Sequence, residues 1–210
     1  DFIKEPMVIE NRSMELIAPH LSGLGLDERA TKVYSRIIHA SGDVDYAPII
    51  RVSPEAIDTA IEALRGGAHV YTDVEMVRTG INKKKLASFG GEVHCLVADP
   101  DIAARAKKEG ITRSMIAMRQ FGKDLNGSIV AIGNAPTALF EVLRLVHEDG
   151  IRPACIVGIP VGFVGAAESK AELVGNGIVP YITVEGTKGG SPIAAAAVNA
   201  MMYLIDNTRP

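Results

Sequence analysis

Two cysteines are the whole thiol complement of the 210 residues. Both Cys95 and Cys155 fall inside apolar, strand-like runs, where a free thiol behaves as a small hydrophobe, and neither is assigned a role. Basic residues do not outnumber acidic ones: 22 Lys and Arg stand against 25 Asp and Glu, for a net charge of -3. A nucleic-acid binder would show a basic surplus, so that class is set aside, and any anionic ligand must meet locally placed cations. Every apolar run is too short to span a bilayer and no secretory core stands near the N-terminus, so no membrane partner is expected and the cytoplasm is the expected compartment. Neither a repeat, a low-complexity tract nor a linker interrupts the chain. Its histidines, cysteines and carboxylates show no zinc-type spacing, which gives no expectation of a protein-held metal.

The remainder is an ordinary globular mixture, 47% hydrophobic and 22% charged. It suits one domain spanning residues 1–210, long enough to bury a sizeable core. Apolar residues at Met7, Met14, Ile17 and Leu21 space a helix over 6–21, Asp27 caps a second that stops at Ser41-Gly42, and Ser53-Pro54 opens a third. Short runs over 47–52, 69–72 and 92–98 read as strands. Residues 73–79 read as a short helix, Asn82 to Lys85 as a basic loop, 99 onward as another helix and 112–125 as one more. Thereafter strands 128–132, 153–159 and 180–184 alternate with helices 136–148, 166–175 and 191–205. Such alternation implies parallel pairing with right-handed crossovers. The expected fold is α/β, a mostly parallel twisted sheet flanked by helices, doubly wound and Rossmann-like, with extra N-terminal helices.

Glycine gathers in three strand-to-helix passages, 133–138, 160–170 and 185–192. Gly162 and Gly165 leave the backbone bare for close approach, and three such loops on one sheet edge would line a single crevice. The loop Gly186-Thr-Lys-Gly-Gly-Ser191 leads into a helix with Pro192 in its first turn, a nest suited to phosphate or carboxylate. It is neither G-x-G-x-x-G nor a P-loop, and tight turns that need glycine account for part of the pattern. Among the histidines, His39 stands near the end of the second helix, one turn after Ser35 and Arg36. The carbonyl end of a helix favours a cation, the condition of a proton donor. The competing reading is a capping imidazole bonded to the last carbonyls. His20, His69, His94 and His147 read as solvated or structural. Arg12, Arg36, Lys83, Lys84, Lys85, Arg113, Arg119 and Lys170 are candidate partners for ligand carboxylates. Thr112-Arg113-Ser114 is singled out because it opens a helix.

Asn11-Arg-Ser13, Arg36-Ile-Ile-His-Ala40, Thr72-Asp-Val-Glu-Met76, Thr112-Arg-Ser114, Gly133-Asn-Ala-Pro-Thr-Ala-Leu139, the 160–170 block and Gly189-Gly-Ser191 together resemble the precorrin-8X methylmutase family, which includes the cobalt-precorrin-8 methylmutases. The resemblance covers nearly the whole chain in order, and the 133–139 and 160–170 blocks are its most specific parts. It implies an isomerase of cobalamin biosynthesis that moves a methyl group from C-11 to C-12 of a ring-contracted corrinoid. It further implies a homodimer with active sites near the interface, His39 as the catalytic residue, and Ser13 and Arg113 in the same pocket. Arg12, Arg36, Ser114, Asn134, Gly162, Phe163, Gly189 and Gly190 complete the expected substrate-binding set. No cofactor is expected, since any cobalt is part of the substrate. Two other readings stand beside it: a nucleotide- or NAD-dependent α/β enzyme with the 186–191 loop on phosphate, and a non-catalytic corrinoid carrier. Against the first, no acidic residue follows a G-x-G-x-x-G loop at ribose-binding distance.

Overall fold

The computed structural model describes residues 2–207. Two helices come first, α1 (Pro6–Leu21) and α2 (Glu28–Ser41), and the Asp27 carboxylate starts the second by accepting from the Ala30 amide at 2.7 Å. Next come β1 (Ile50–Val52), α3 (Ala56–Arg65), β2 (Val70–Thr72), α4 (Glu75–Gly80), α5 (Lys83–Ser88), β3 (Val93–Cys95), α6 (Pro100–Glu109) and α7 (Arg113–Phe121). The chain finishes with β4 (Ile129–Ile132), α8 (Pro136–Glu148), β5 (Cys155–Gly158), α9 (Ala166–Gly175), β6 (Tyr181–Val184) and α10 (Ser191–Asp206). None of these helices is long and apolar enough to cross a membrane.

The strands lie in the order β1-β6-β5-β4-β2-β3, and every neighbouring pair is parallel except β1 with β6. Alternate side chains point to opposite faces. Ile129, Ala131, Cys155, Val157, Ile182 and Val184 join a core with α1, α2, α3 and α10, whereas Val130, Ile132 and Ile156 join a second with α7 and α8. Helices therefore cover both faces, as the alternating pattern requires. The chain passes over β2 between β3 and β4, so the direction of winding reverses between β2 and β4.

Several local expectations are corrected by partners distant in sequence. Ser53 does not cap α3: its hydroxyl accepts from the Tyr181 amide at 2.9 Å, and the helix begins at Ala56. The 82–85 stretch is the start of α5, because the Asn82 side-chain Oδ1 accepts from the Lys85 amide at 3.0 Å. The helix expected over 112–125 breaks at Gly122, whose φ is +48°, and finishes as a 3-10 turn.

Helices α2 and α10 pack antiparallel. Lys32, early in α2, donates to Asn207, just beyond α10, at 2.6 Å, while Ala40 and Ser41 share a cavity wall with Pro192 and Ile193. The carbonyl end of α2 thus lies beside the amide end of α10. Ala194 and Ala197 are fully buried and let α10 lie close to the sheet.

Candidate functional site

The three glycine loops converge on the C-terminal margin of the parallel strands. A Cβ on Gly133 would lie 2.6 Å from the Ser191 Cα, so the loop after β4 rests on the start of α10. A Cβ on Gly189 would lie 2.5 Å from the Ile159 carbonyl oxygen, which sets the loop after β6 against the loop after β5. The Gly190 amide donates to the Ile159 carbonyl at 2.9 Å, and the Gly162 amide to the Thr187 carbonyl at 3.1 Å. This corrects the expectation that Gly162 and Gly190 offer free amides to a ligand: those donors tie one loop to the next.

The amides after β4 are also engaged. Gly133, Asn134 and Ala135 donate to the Asp73 carboxylate at 3.0, 2.9 and 2.7 Å. Asp73 is fully buried at the end of β2; burial pushes its carboxyl above the usual range, and the three amides oppose that shift. The crevice at the winding reversal, where doubly wound enzymes seat their ligands, is therefore filled by the protein's own carboxylate.

A cavity of about 420 Å³ opens beside this margin, walled by Ala40, Ser41, Tyr46, Val161, Lys188 and Gly189 among others. Lys188 is a fixed cation there, 2.5 Å from the Asp43 carboxylate and 5.3 Å from the centre of the Tyr46 ring. Its hydrogen bond holds Asp43 below the usual carboxylate range, and the same bond raises Lys188. His39 is exposed in the last turn of α2, next to the cavity-lining Ala40 and Ser41. The caps of α2 come from elsewhere: the Ser41 hydroxyl and the Gly42 amide both donate to the Ile38 carbonyl, at 2.8 and 2.9 Å. The His39 imidazole has no hydrogen-bond partner among the described residues, so the capping reading falls away.

The other expected residues divide. Arg36 is buried, paired with Glu10 of α1 and 5.6 Å from the Tyr203 ring of α10, so it joins three helices. Arg12 is exposed and paired with Glu15 at 2.8 Å, and the Ser13 hydroxyl donates to the Ile9 carbonyl of its own helix at 2.8 Å. Arg113 is exposed at the first turn of α7 and forms no ion pair among the described residues. The Thr112 and Thr137 hydroxyls, 2.9 Å apart, join that turn to the start of α8. Arg113 and the exposed Asn134 side chain thus flank the loop after β4, with Ser114 buried. Phe163 is 95% exposed and Val164 89%, so both project from the loop after β5. Arg119 is engaged by Glu141 and Glu109.

Asp73, Lys188 and Lys170 have structural weight that no spacing in the sequence announces. Lys170 is 1% exposed in α9 and donates to the Lys188 carbonyl, tethering the loop after β6 from beneath. Burial lowers its ammonium to about 8 from an ordinary 10.5. Between these values the unfolded chain holds more protons than the folded one, so stability from this group rises with pH; it is complete above 10.5 and lost as pH falls through about 8. Urea midpoints measured from pH 7 to 10 should show a rise in the native protein that is missing in Lys170→Met.

The precorrin-8X methylmutase family model matches residues 8–204. A cobalt-precorrin-8 methylmutase of Priestia megaterium is 41% identical over 203 residues, covering 97% of this chain and 90% of that protein. A precorrin-8X methylmutase of Pseudomonas aeruginosa is 41% identical over 202 residues, covering 96% of this chain and 97% of that one. Among solved structures, a precorrin-8X methylmutase from Thermus thermophilus superposes with a TM-score of 0.87 at 35% identity, covering 96% of this chain and 97% of that one.

Proposed function

Because the chain belongs to the precorrin-8X methylmutase family, we propose that His39 is the proton donor of its reaction and that the cavity beside α2 seats the corrinoid. The protein is an isomerase, a methylmutase of cobalamin biosynthesis. The proposed step is a 1,5-shift of one methyl group from C-11 to C-12, which changes neither mass nor net charge. The carbon losing the methyl is bonded to a ring nitrogen. A proton placed on that nitrogen draws electrons from the breaking bond and is returned when the shift is complete. One positioned acid contributes about 100- to 10,000-fold, and holding the macrocycle in a reactive geometry supplies much of the rest.

What supports this reading is the exposed imidazole of His39, without a hydrogen bond among the described residues and one position before the cavity-lining Ala40 and Ser41, in a cavity that also has the Lys188–Asp43 pair on its wall. Arg113, exposed and without an ion pair among the described residues, is the cation open to a peripheral carboxylate, while Lys188 would meet one only in exchange for or alongside Asp43. Cobalt, where present, arrives inside the macrocycle and needs no protein ligand; relatives named for cobalt-precorrin-8 and for precorrin-8X stand at the same 41% identity. A homodimer is part of the proposal. Met7, Val8 and Leu16 of α1 and the preceding Phe2 and Ile3 are exposed large apolar residues, a face suited to a second copy. Light scattering on a sizing column should give twice the mass of the chain.

The deciding experiment is anaerobic incubation with the precorrin substrate, followed by absorption and mass. A changed spectrum at unchanged mass is expected. Tight binding with an unchanged spectrum would instead support the carrier reading. Thermal stabilisation by NAD or ATP without corrinoid conversion would support a nucleotide enzyme, a reading that Asp73 opposes by filling the crevice such a ligand would use.

A further inference from the structure

We propose that His69, Glu92 and His94 form a site for one divalent transition-metal ion of the zinc class, at the opposite end of the strands from the cavity. Strands β2 and β3 pair in parallel with Val70 opposite Val93 and Tyr71 opposite His94. That register sets His69 beside Glu92, and the period of two turns His69, Tyr71, Glu92 and His94 to one face of the sheet. Twenty-two residues separate His69 from Glu92, so no linear motif marks the group. The fold brings one ligand atom from each of the three side chains within 4.8 Å of the others.

The two imidazoles are held rather than loose. His94 stacks on Tyr71 with centroids 4.9 Å apart, and Tyr71 is itself buried with its ring edge-on to Phe121 at 4.7 Å. His69 stacks on His94 at 4.9 Å and 17°. His69 Nδ1 and His94 Nε2 are 2.7 Å apart, a hydrogen-bond distance. A tetrahedral zinc with bonds of about 2.0–2.1 Å would need them about 3.3 Å apart, an opening of about 0.6 Å that small side-chain rotations supply. Glu92 is exposed and β3 is the outer strand of the sheet, so an ion has open access. Two imidazoles and a carboxylate favour zinc, cobalt, nickel or copper over magnesium or calcium, and a fourth position stays open to water.

The test uses the full-length protein after EDTA treatment and gel filtration, titrated at pH 7.5 with Zn²⁺ by calorimetry and with Co²⁺ by visible absorption. One ion per chain is expected, with tetrahedral cobalt bands. His94→Gln and His69→Gln should each weaken zinc binding by about tenfold or more, and Glu92→Gln by less, with corrinoid conversion unchanged. Circular dichroism confirms that each variant is folded, and the three substitutions act independently, so failure of one to fold leaves the other two decisive. The proposal is overturned if neither ion binds at millimolar concentration, or if binding persists unchanged in both histidine variants. The latter result would leave a plain imidazole–imidazole hydrogen bond as the role of the pair.

Discussion

His39→Ala lowers corrinoid turnover by about 100- to 10,000-fold, the range a positioned general acid contributes, while the protein melts within a few degrees of the native one. The separation of the two effects follows from the geometry. The imidazole is exposed and makes no hydrogen bond among the described residues, and the Ile38 carbonyl at the end of α2 is already satisfied by Ser41 and Gly42. Removing the ring therefore leaves the helix intact and removes only the donor. Turnover is followed by the spectral change of the corrinoid and stability by circular dichroism. Native-like turnover in this variant would take His39 out of the mechanism; a collapse in stability would show that the ring has a packing role.

Asp73→Ala acts on stability and is the more damaging of the two to the fold. Three amides, of Gly133, Asn134 and Ala135, lose a buried acceptor at once. An unsatisfied buried donor costs about 1–3 kcal/mol, and the loop can recover part of this by admitting water, so the net loss is about 3–5 kcal/mol. For a chain of this size each kcal/mol lowers the melting temperature by about 2–4 °C. Asp73→Asn keeps one acceptor oxygen and should lose less, though not nothing, since its NH2 faces N–H donors at the other oxygen position. Urea denaturation measures the loss, and hydrogen exchange at residues 133–135 localises it. A loss below about 1 kcal/mol would mean the loop after β4 is held by its packing on α10, without need of the carboxylate.

Reading the sequence went furthest where structure is set locally. The helices of 136–148 and 166–175 match the sequence reading to the residue, because Pro136 and Gly165 mark their starts locally; the Asp73 carboxylate at the start of the first reinforces that boundary without moving it. Asp27 and Asp99 cap their helices as the chain order suggests, each accepting from amides two or three residues ahead. Reading failed where a partner lies far along the chain. Ser53 looks like a cap until Tyr181, 128 residues away, takes its hydroxyl. The antiparallel direction of β1 depends on meeting β6 and leaves no mark in three residues. The glycine loops were legible as a cluster but not in their chemistry: their amides look available in a list of residues, and only the fold supplies Asp73, Ile159 and Thr187 as acceptors. The position of His39 in α2 leaves proton donor and cap both open in the sequence, and only the fold, which satisfies the Ile38 carbonyl with Ser41 and Gly42, removes the cap; likewise nothing near Arg36 in sequence announces its pairing with Glu10.

Where α2 ends against the start of α10, roughly half a unit of negative charge faces roughly half a unit of positive charge, contributed by backbone alone. A flat ring with acids along its circumference experiences a potential difference across its own width as it arrives. On the proposed seating, that difference would draw the anionic rim toward the Ser191 side and turn a proton-accepting nitrogen toward His39. The main chain would then sort the edges of the incoming molecule before any side chain acts on it.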